Sequence, residues 1–202
     1  MDVYLDGAGR RINYKPRLKI SETFHSLQGE GRHSGLPCTF IRLTGCALRC
    51  TYCDSAYAFY GGRWESFDDL IAVIRATGAH LVQVTGGEPL HQPAAWPFLQ
   101  RLIDDGFKPL LETGGAVDIT GLPEGTHVVL DIKTPESGES ARMRLDNLAL
   151  LKPTDEVKFV VCSEADLDWS LDFIRTHDLD RRCEVLVSPV WSLADKIGRA
   201  HV

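Results

Sequence analysis

The chain has 202 residues, a length that fits one domain. With 44% hydrophobic and 25% charged residues it is neither a disordered nor a fibrous chain. No apolar run approaches the roughly 20 residues that span a bilayer. The opening MDVYLDGAGRRINYKPRLKI lacks the apolar core of a secretory signal, so a cytoplasmic protein without a membrane partner is expected. The formal charge of -6 comes from 28 acidic against 22 basic residues, and the basic ones are scattered. Nucleic acid, which selects clustered basic faces, is not expected as a partner.

The first 16 residues read as an irregular lead-in. Residues 37–45 (PCTFIRLTG) are β-rich and stop at a glycine. Residues 67–78 place Leu70, Ile71 and Ile74 at helical spacing before Gly78. Residues 80–87 (HLVQVTGG) return to strand character. Residues 93–106 predict a helix whose prolines suit a first turn and whose Phe98, Leu99, Leu102 and Ile103 share a face. The alternation continues with strands over 109–115, 127–133, 156–162 and 183–190, and helices over 139–151 and 164–178.

Six strands joined by helices predict right-handed βαβ units and a parallel sheet covered on both faces. Six units cannot close an eight-stranded barrel, but they can curl into an open partial one; a flat doubly wound sheet is the rival. Either arrangement gathers ligands beyond the carboxyl ends of the strands. Those ends are Cys46–Ser55, Thr85–Pro89, Glu112–Gly115, Asp131–Lys133 and Ser188–Trp191, expected on one rim. The whole chain, 1–202, is expected to be a single domain with its core at about 20–190.

Three of six cysteines, Cys46, Cys50 and Cys53, fall within eight residues. A reducing compartment disfavours disulfides, so this C-x3-C-x2-C cluster points to metal. Structural zinc and a simple electron-transfer [4Fe–4S] cluster each want four protein ligands. Three thiolates on a cubane leave one iron open to another molecule. A zinc-stabilised binding module remains the reading outside enzymes. Cys162 and Cys183 at strand ends, and Cys38 at a strand start, are expected to be buried small hydrophobes. His80, His91 and His177 are expected at the surface or in caps.

Thr85-Gly86-Gly87-Glu88-Pro89 follows one βαβ unit later, and its paired glycines allow close backbone approach to a ligand. Together with the cysteine spacing it resembles the radical S-adenosylmethionine (SAM) superfamily over approximately residues 20–190. The resemblance implies an open partial (β/α)6 barrel. It implies that Cys46, Cys50 and Cys53 hold a [4Fe–4S] cluster whose fourth iron chelates SAM. One-electron reduction would then yield a 5′-deoxyadenosyl radical that abstracts hydrogen from a substrate. Tyr52 matches an aromatic position near the adenine, and Gly86 and Gly87 match the turn that meets the methionine amino group; Asp54 is assigned to the cofactor with them.

The segments LQGEG, IRLTGC, CDS, TGGEP and ETGG together resemble the family of 7-carboxy-7-deazaguanine synthases. That family converts 6-carboxy-5,6,7,8-tetrahydropterin to 7-carboxy-7-deazaguanine by hydrogen abstraction, ring contraction and loss of ammonia, with Mg2+. The resemblance places Leu27, Gln28 and Gly29 in the pterin-binding segment and Thr85 at a substrate contact. Arg42 falls at a position pairing with the substrate, where a guanidinium suits a carboxylate. Ser55 matches the hydroxyl ligand of magnesium. Asp131 and Lys133 fall at the cofactor position, in a segment that commonly reads Ser-Pro-Lys, and Ser188 follows the last strand toward the cofactor. An electron donor such as flavodoxin and a homodimer are further implied. The family usually continues into a His-Lys pair that helps close the site. Asp195–Val202 holds no such pair, leaving closure to a shortened segment or a partner subunit. A glycyl-radical activase is the rival within enzymes, although it would need neither LQGEG nor a metal-binding Ser55.

Overall fold

The computed structural model describes the backbone of residues 4–5 and 11–12, and residues 16–190 throughout. The chain forms two compact units. The first contains the described residues up to Ala47 with Ser55–Thr113 and Ile119–Val128; the second contains Leu48–Asp54, Gly114–Asp118 and the described residues from Val129 on.

In the first unit, β3 (Arg17–Leu27), β4 (Pro37–Leu43), β5 (Arg63–Ser66), β6 (Leu81–Gly86) and β7 (Lys108–Thr113) lie in the order β5-β3-β4-β6-β7. Strands β4, β6 and β7 run parallel, whereas β3 is antiparallel to both β4 and β5. Two helices accompany them, α1 (Phe67–Thr77) and α2 (Ala95–Asp104). Ser66 caps α1 by accepting from the Asp69 amide, and Gly78 ends it in the left-handed conformation at φ 71°. Leu70 and Ile74 of α1 are fully buried, as the apolar periodicity requires. Pairing of β4 with β6 puts Ile41, Leu43, Val82 and Val84 on one face, all fully buried. The opposite face carries Cys38, Phe40 and Arg42 beside Leu81, Gln83 and Thr85.

In the second unit, β8 (His127–Ile132), which begins in the first unit, is followed by β9 (Glu156–Val161) and β10 (Glu184–Pro189). β9 pairs in parallel with both β8 and β10. α3 (Glu164–Thr176) and a short α4 (Leu179–Arg182) complete the unit. Ser163 caps α3 from the Asp166 amide. Among the described residues, no helix is long and apolar enough to cross a membrane.

All six strands read from the sequence form, with no end shifted by more than two residues. Three expectations are corrected. β3 and β5 are additional strands. The lead-in contains a two-stranded antiparallel pair, β1 (Tyr4–Leu5) and β2 (Arg11–Ile12). The helix expected over 139–151 is instead two 3-10 turns, Ser140–Arg142 and Leu145–Leu150. Tertiary bonds override the helical pattern there: Asn147 Nδ2 donates to the Gly115 and Val117 carbonyls, and the Arg144 amide to the Gly115 carbonyl.

Candidate active site

The glycine pair of β6 is shaped by close packing. Gly86 has φ 147°, and a Cβ there would lie 2.2 Å from the Leu43 carbonyl oxygen. A Cβ on Gly87 would meet the Gly45 carbonyl oxygen at 2.3 Å and Cys46 Cβ at 2.8 Å. The Gly87 amide donates to the Leu43 carbonyl and the Glu88 amide to the Gly45 carbonyl, at 3.1 and 2.7 Å. The TGGEP turn is thus seated on the backbone that carries Cys46, and only glycine fits there. Glu88 is buried, accepts from the Leu90 amide, and takes the Thr113 hydroxyl on its carboxylate at 2.9 Å.

On the Arg42 face of the first unit a chain of polar side chains crosses three strands. Buried Gln28 donates through Nε2 to Gln83 Oε1, and its own Oε1 accepts the Gly29 and Glu30 amides. Gln83 Nε2 and Thr85 Oγ1 each donate to Glu112 Oε2 at 2.9 Å. Gln28 and Thr85, both singled out from the sequence, are therefore brought together through Gln83 and Glu112. Arg42 is half-buried, and its Nε donates to Glu22 Oε1 at 2.7 Å. The same oxygen accepts the Tyr57 hydroxyl at 2.6 Å. These two bonds, the phenol's first, hold Glu22 below the usual carboxylate range. On the same face Phe24 and Phe40 stack at 4.7 Å, and Phe40 packs against Cys38, Leu81 and Leu110.

In the second unit the loop bearing Cys50, Tyr52 and Cys53 is tied to the segment after β8. The Thr51 amide donates to the Ser137 carbonyl, the Thr51 hydroxyl to the Glu136 carbonyl, and the Arg49 amide to Glu139 Oε1. Lys133 donates to Asp131 Oδ2 at 2.7 Å and lies 5.8 Å from the Tyr52 ring centre. Burial opposes the Lys133 charge, but the Asp131 carboxylate beside it outweighs that and holds the ammonium protonated. Burial pushes the Tyr52 phenol above its ordinary range.

The remaining positions are less engaged. Leu27 is 61% exposed, and Gly29 and Asp54 are exposed. Ser55 is half-buried and its side chain does not cap the turn that follows it, Ala56–Phe59. Ser188 is half-buried in β10, in register with Val160. Trp191 and the Asp195–Val202 segment lie outside the described residues. Cys38 is fully buried as expected, but Cys162 and Cys183 are only half-buried, which corrects their reading as core residues. His80 and His91 are exposed, and His177 is the C-cap of α3.

The sequence reading did not single out Glu22, Tyr57 or Gln83, and named Glu112 only as part of a strand end. The available signal was a glutamine inside the otherwise apolar run LVQV, at a position that is buried.

The chain matches the model of the Radical SAM superfamily over residues 40–185. It is 43% identical over 178 residues to 7-carboxy-7-deazaguanine synthase of Koribacter versatilis (strain Ellin345), covering 86% of this chain and 78% of the relative. It is 35% identical over 187 residues to 7-carboxy-7-deazaguanine synthase of Thermoplasma acidophilum, covering 89% and 88%. The crystal structure of QueE from Escherichia coli superposes with TM-score 0.73 at 27% identity, covering 87% of this chain and 85% of that one. The fold class is accordingly that of radical SAM enzymes, the open partial (β/α)6 barrel expected from the sequence. Within that class, the chain belongs to the 7-carboxy-7-deazaguanine synthase family. These relationships favour neither the glycyl-radical activase nor the zinc module.

Membership implies a [4Fe–4S] cluster and SAM. The residues present fit both. Cys46, Cys50 and Cys53 are half-buried thiols of the soft-donor type an iron–sulfur cluster takes. Among the described residues, the Tyr52 hydroxyl and Asp131 Oδ1 are buried without hydrogen-bond partners, as expected of groups awaiting a polar ligand.

Proposed function

We propose that this enzyme is a carbon–nitrogen lyase that converts 6-carboxy-5,6,7,8-tetrahydropterin to 7-carboxy-7-deazaguanine in 7-deazapurine (queuosine-type) biosynthesis. The observation that carries the reading is the polar face of the first unit. There the Arg42 guanidinium and the Gln28–Gln83–Glu112–Thr85 chain share one face of the strands with an apolar patch of aromatic and aliphatic side chains. A flat, polar-edged heterocycle carrying a carboxylate suits such a surface.

When bound, the cluster and SAM supply one-electron radical chemistry. The chain's own contribution is placement. Cys46, Cys50 and Cys53 are assigned to the cluster. Tyr52, Asp54, Gly86, Gly87, Asp131, Lys133 and Ser188 are assigned to SAM, with Asp131 Oδ1 and the Tyr52 hydroxyl as its polar contacts. Arg42 takes the substrate carboxylate. Thr85 and the Leu27–Gly29 segment meet the ring edge, and Glu112 fixes the Thr85 hydroxyl from behind. Ser55 is assigned to Mg2+, a hard cation that keeps few protein ligands. A low-potential donor such as flavodoxin, a homodimer and a cytoplasmic setting complete the reading.

The test is anaerobic incubation of reconstituted enzyme with the carboxytetrahydropterin, SAM, a reductant and Mg2+. Formation of 7-carboxy-7-deazaguanine is expected, and its absence in a preparation that still cleaves SAM overturns the substrate assignment. For the metal, Ser55→Ala is expected to weaken the Mg2+ dependence; an unchanged dependence removes Ser55 as a ligand.

A further inference from the structure

We propose that Glu22 and Tyr57 are positioning residues that set this site's preference for a carboxylated substrate, by holding Arg42 through one edge of its guanidinium. The proposal rests on the reading of Arg42 as the group that takes the substrate carboxylate.

The geometry is specific. Glu22 Oε1 occupies Arg42 Nε at 2.7 Å, and the Arg42 guanidinium carbon lies 5.9 Å from the centre of the Tyr57 ring. Tyr57 in turn donates its hydroxyl to that same glutamate oxygen at 2.6 Å. The arginine is thus gripped by a charge-assisted bond on its inner edge and by a π-face on one side. Among the described residues, its two terminal nitrogens have no hydrogen-bond partner. A guanidinium whose Nε is already committed presents those terminal nitrogens as a preset fork for a second carboxylate.

This arrangement depends on an irregularity in β3. Ile20 is paired with Leu43, yet Glu22 is paired with Arg42, so two β3 steps match one β4 step. Before this bulge, even-numbered Leu18 and Ile20 are fully buried in line with Leu43. After it, even-numbered Glu22, Phe24 and Ser26 are paired with Arg42, Phe40 and Cys38, on the polar-site face. Bulges re-aim side chains in this way, since a one-residue slip moves every following side chain to the other face. The bulged stretch is clamped by Gln92, which accepts from the Lys19 amide and donates to the Lys19 and Thr44 carbonyls. Tyr57 arrives from the 3-10 turn directly after Ser55, so the segment following the cysteine loop also reports on Arg42.

The test compares two stable fluorescent probes, 6-carboxypterin and pterin, titrated anaerobically into reconstituted enzyme with SAM. Wild type is expected to prefer 6-carboxypterin by at least about tenfold, the scale of one charge-assisted contact. Glu22→Gln and Tyr57→Phe are expected to lose most of that preference while binding pterin as wild type does. A merely structural role would weaken both probes alike. Tyr57 is 59% exposed, so removing its hydroxyl keeps the test open should Glu22→Gln fold poorly. Variants that retain the full preference overturn the proposal. A wild type that binds both probes alike, or neither, overturns instead the assignment of Arg42 on which it rests.

Discussion

Lys133 donates to Asp131 Oδ2 across 2.7 Å, while Oδ1 of the same buried carboxylate has no partner among the described residues. One oxygen neutralises the lysine and the other is held ready for a donor. Removing one member of a buried pair costs about 3–5 kcal/mol, because the remaining charge is left without compensation. Asp131→Ala is therefore expected to lower the unfolding temperature and to abolish SAM binding. Asp131→Asn keeps an acceptor and is expected to weaken SAM by about tenfold, as equilibrium dialysis would show. A destabilised Asp131→Asn that binds SAM normally would make the pair purely structural.

The two glycine motifs differ in what they tolerate. Gly87→Ala drives a Cβ to 2.3 Å from the Gly45 carbonyl oxygen, so the backbone bearing Cys46 must move. Loss of cluster content is expected, read from the iron–sulfur absorbance of reconstituted protein. Gly29→Ala meets nothing within 4 Å and is expected to keep its cluster fully.

Gln83 is the centre of the polar chain, since its amide bonds both the Gln28 and the Glu112 side chains. Gln83→Leu leaves the two ends of the chain without their amide partner, at about 1–3 kcal/mol of stability. Thermal unfolding should show that loss, and KM for the pterin should rise with little change in kcat. A variant as stable as wild type with an unchanged KM would show the chain to be dispensable.

Burial pushes the Cys38 thiol up to about 11, against an unfolded value of 9.0. Below that unfolded value both states keep the proton and the contribution to stability is complete. As pH rises toward 11 the unfolded chain ionises first, so stability falls by on the order of 2–3 kcal/mol. Cys38→Ala should flatten this alkaline decline relative to wild type in denaturant titrations at pH 8 and 10. Equal slopes would mean that the thiol is not held protonated.

Much of the fold could be read from the chain because its buried parallel strands are nearly continuous apolar runs. Leu81–Val84 and Glu156–Val161 illustrate this, and Ser66, Gly78 and Ser163 punctuate α1 and α3 by direct capping chemistry. β5 was hidden because it is four residues long and its Trp64 is 55% exposed, which leaves no alternation to detect. β3 was hidden by its bulge, which reverses the inside–outside pattern halfway along. The cysteines and TGGEP carry their chemistry in local spacing and were legible. The Gln28–Gln83–Glu112–Thr85 chain was not, because its members are up to 84 residues apart along the chain and meet only through pairing across β6 and β7.

The extra residue in β3 also makes that strand intolerant of changes in length. Deleting Ser21 would restore an even ladder, but it would force a choice between two losses. Either Glu22 leaves Arg42, or Leu18 and Ile20 turn out of the interior. Libraries built on this scaffold should accordingly sample identity rather than insertions or deletions between Lys19 and Glu22, since a single codon there decides which way an acid points.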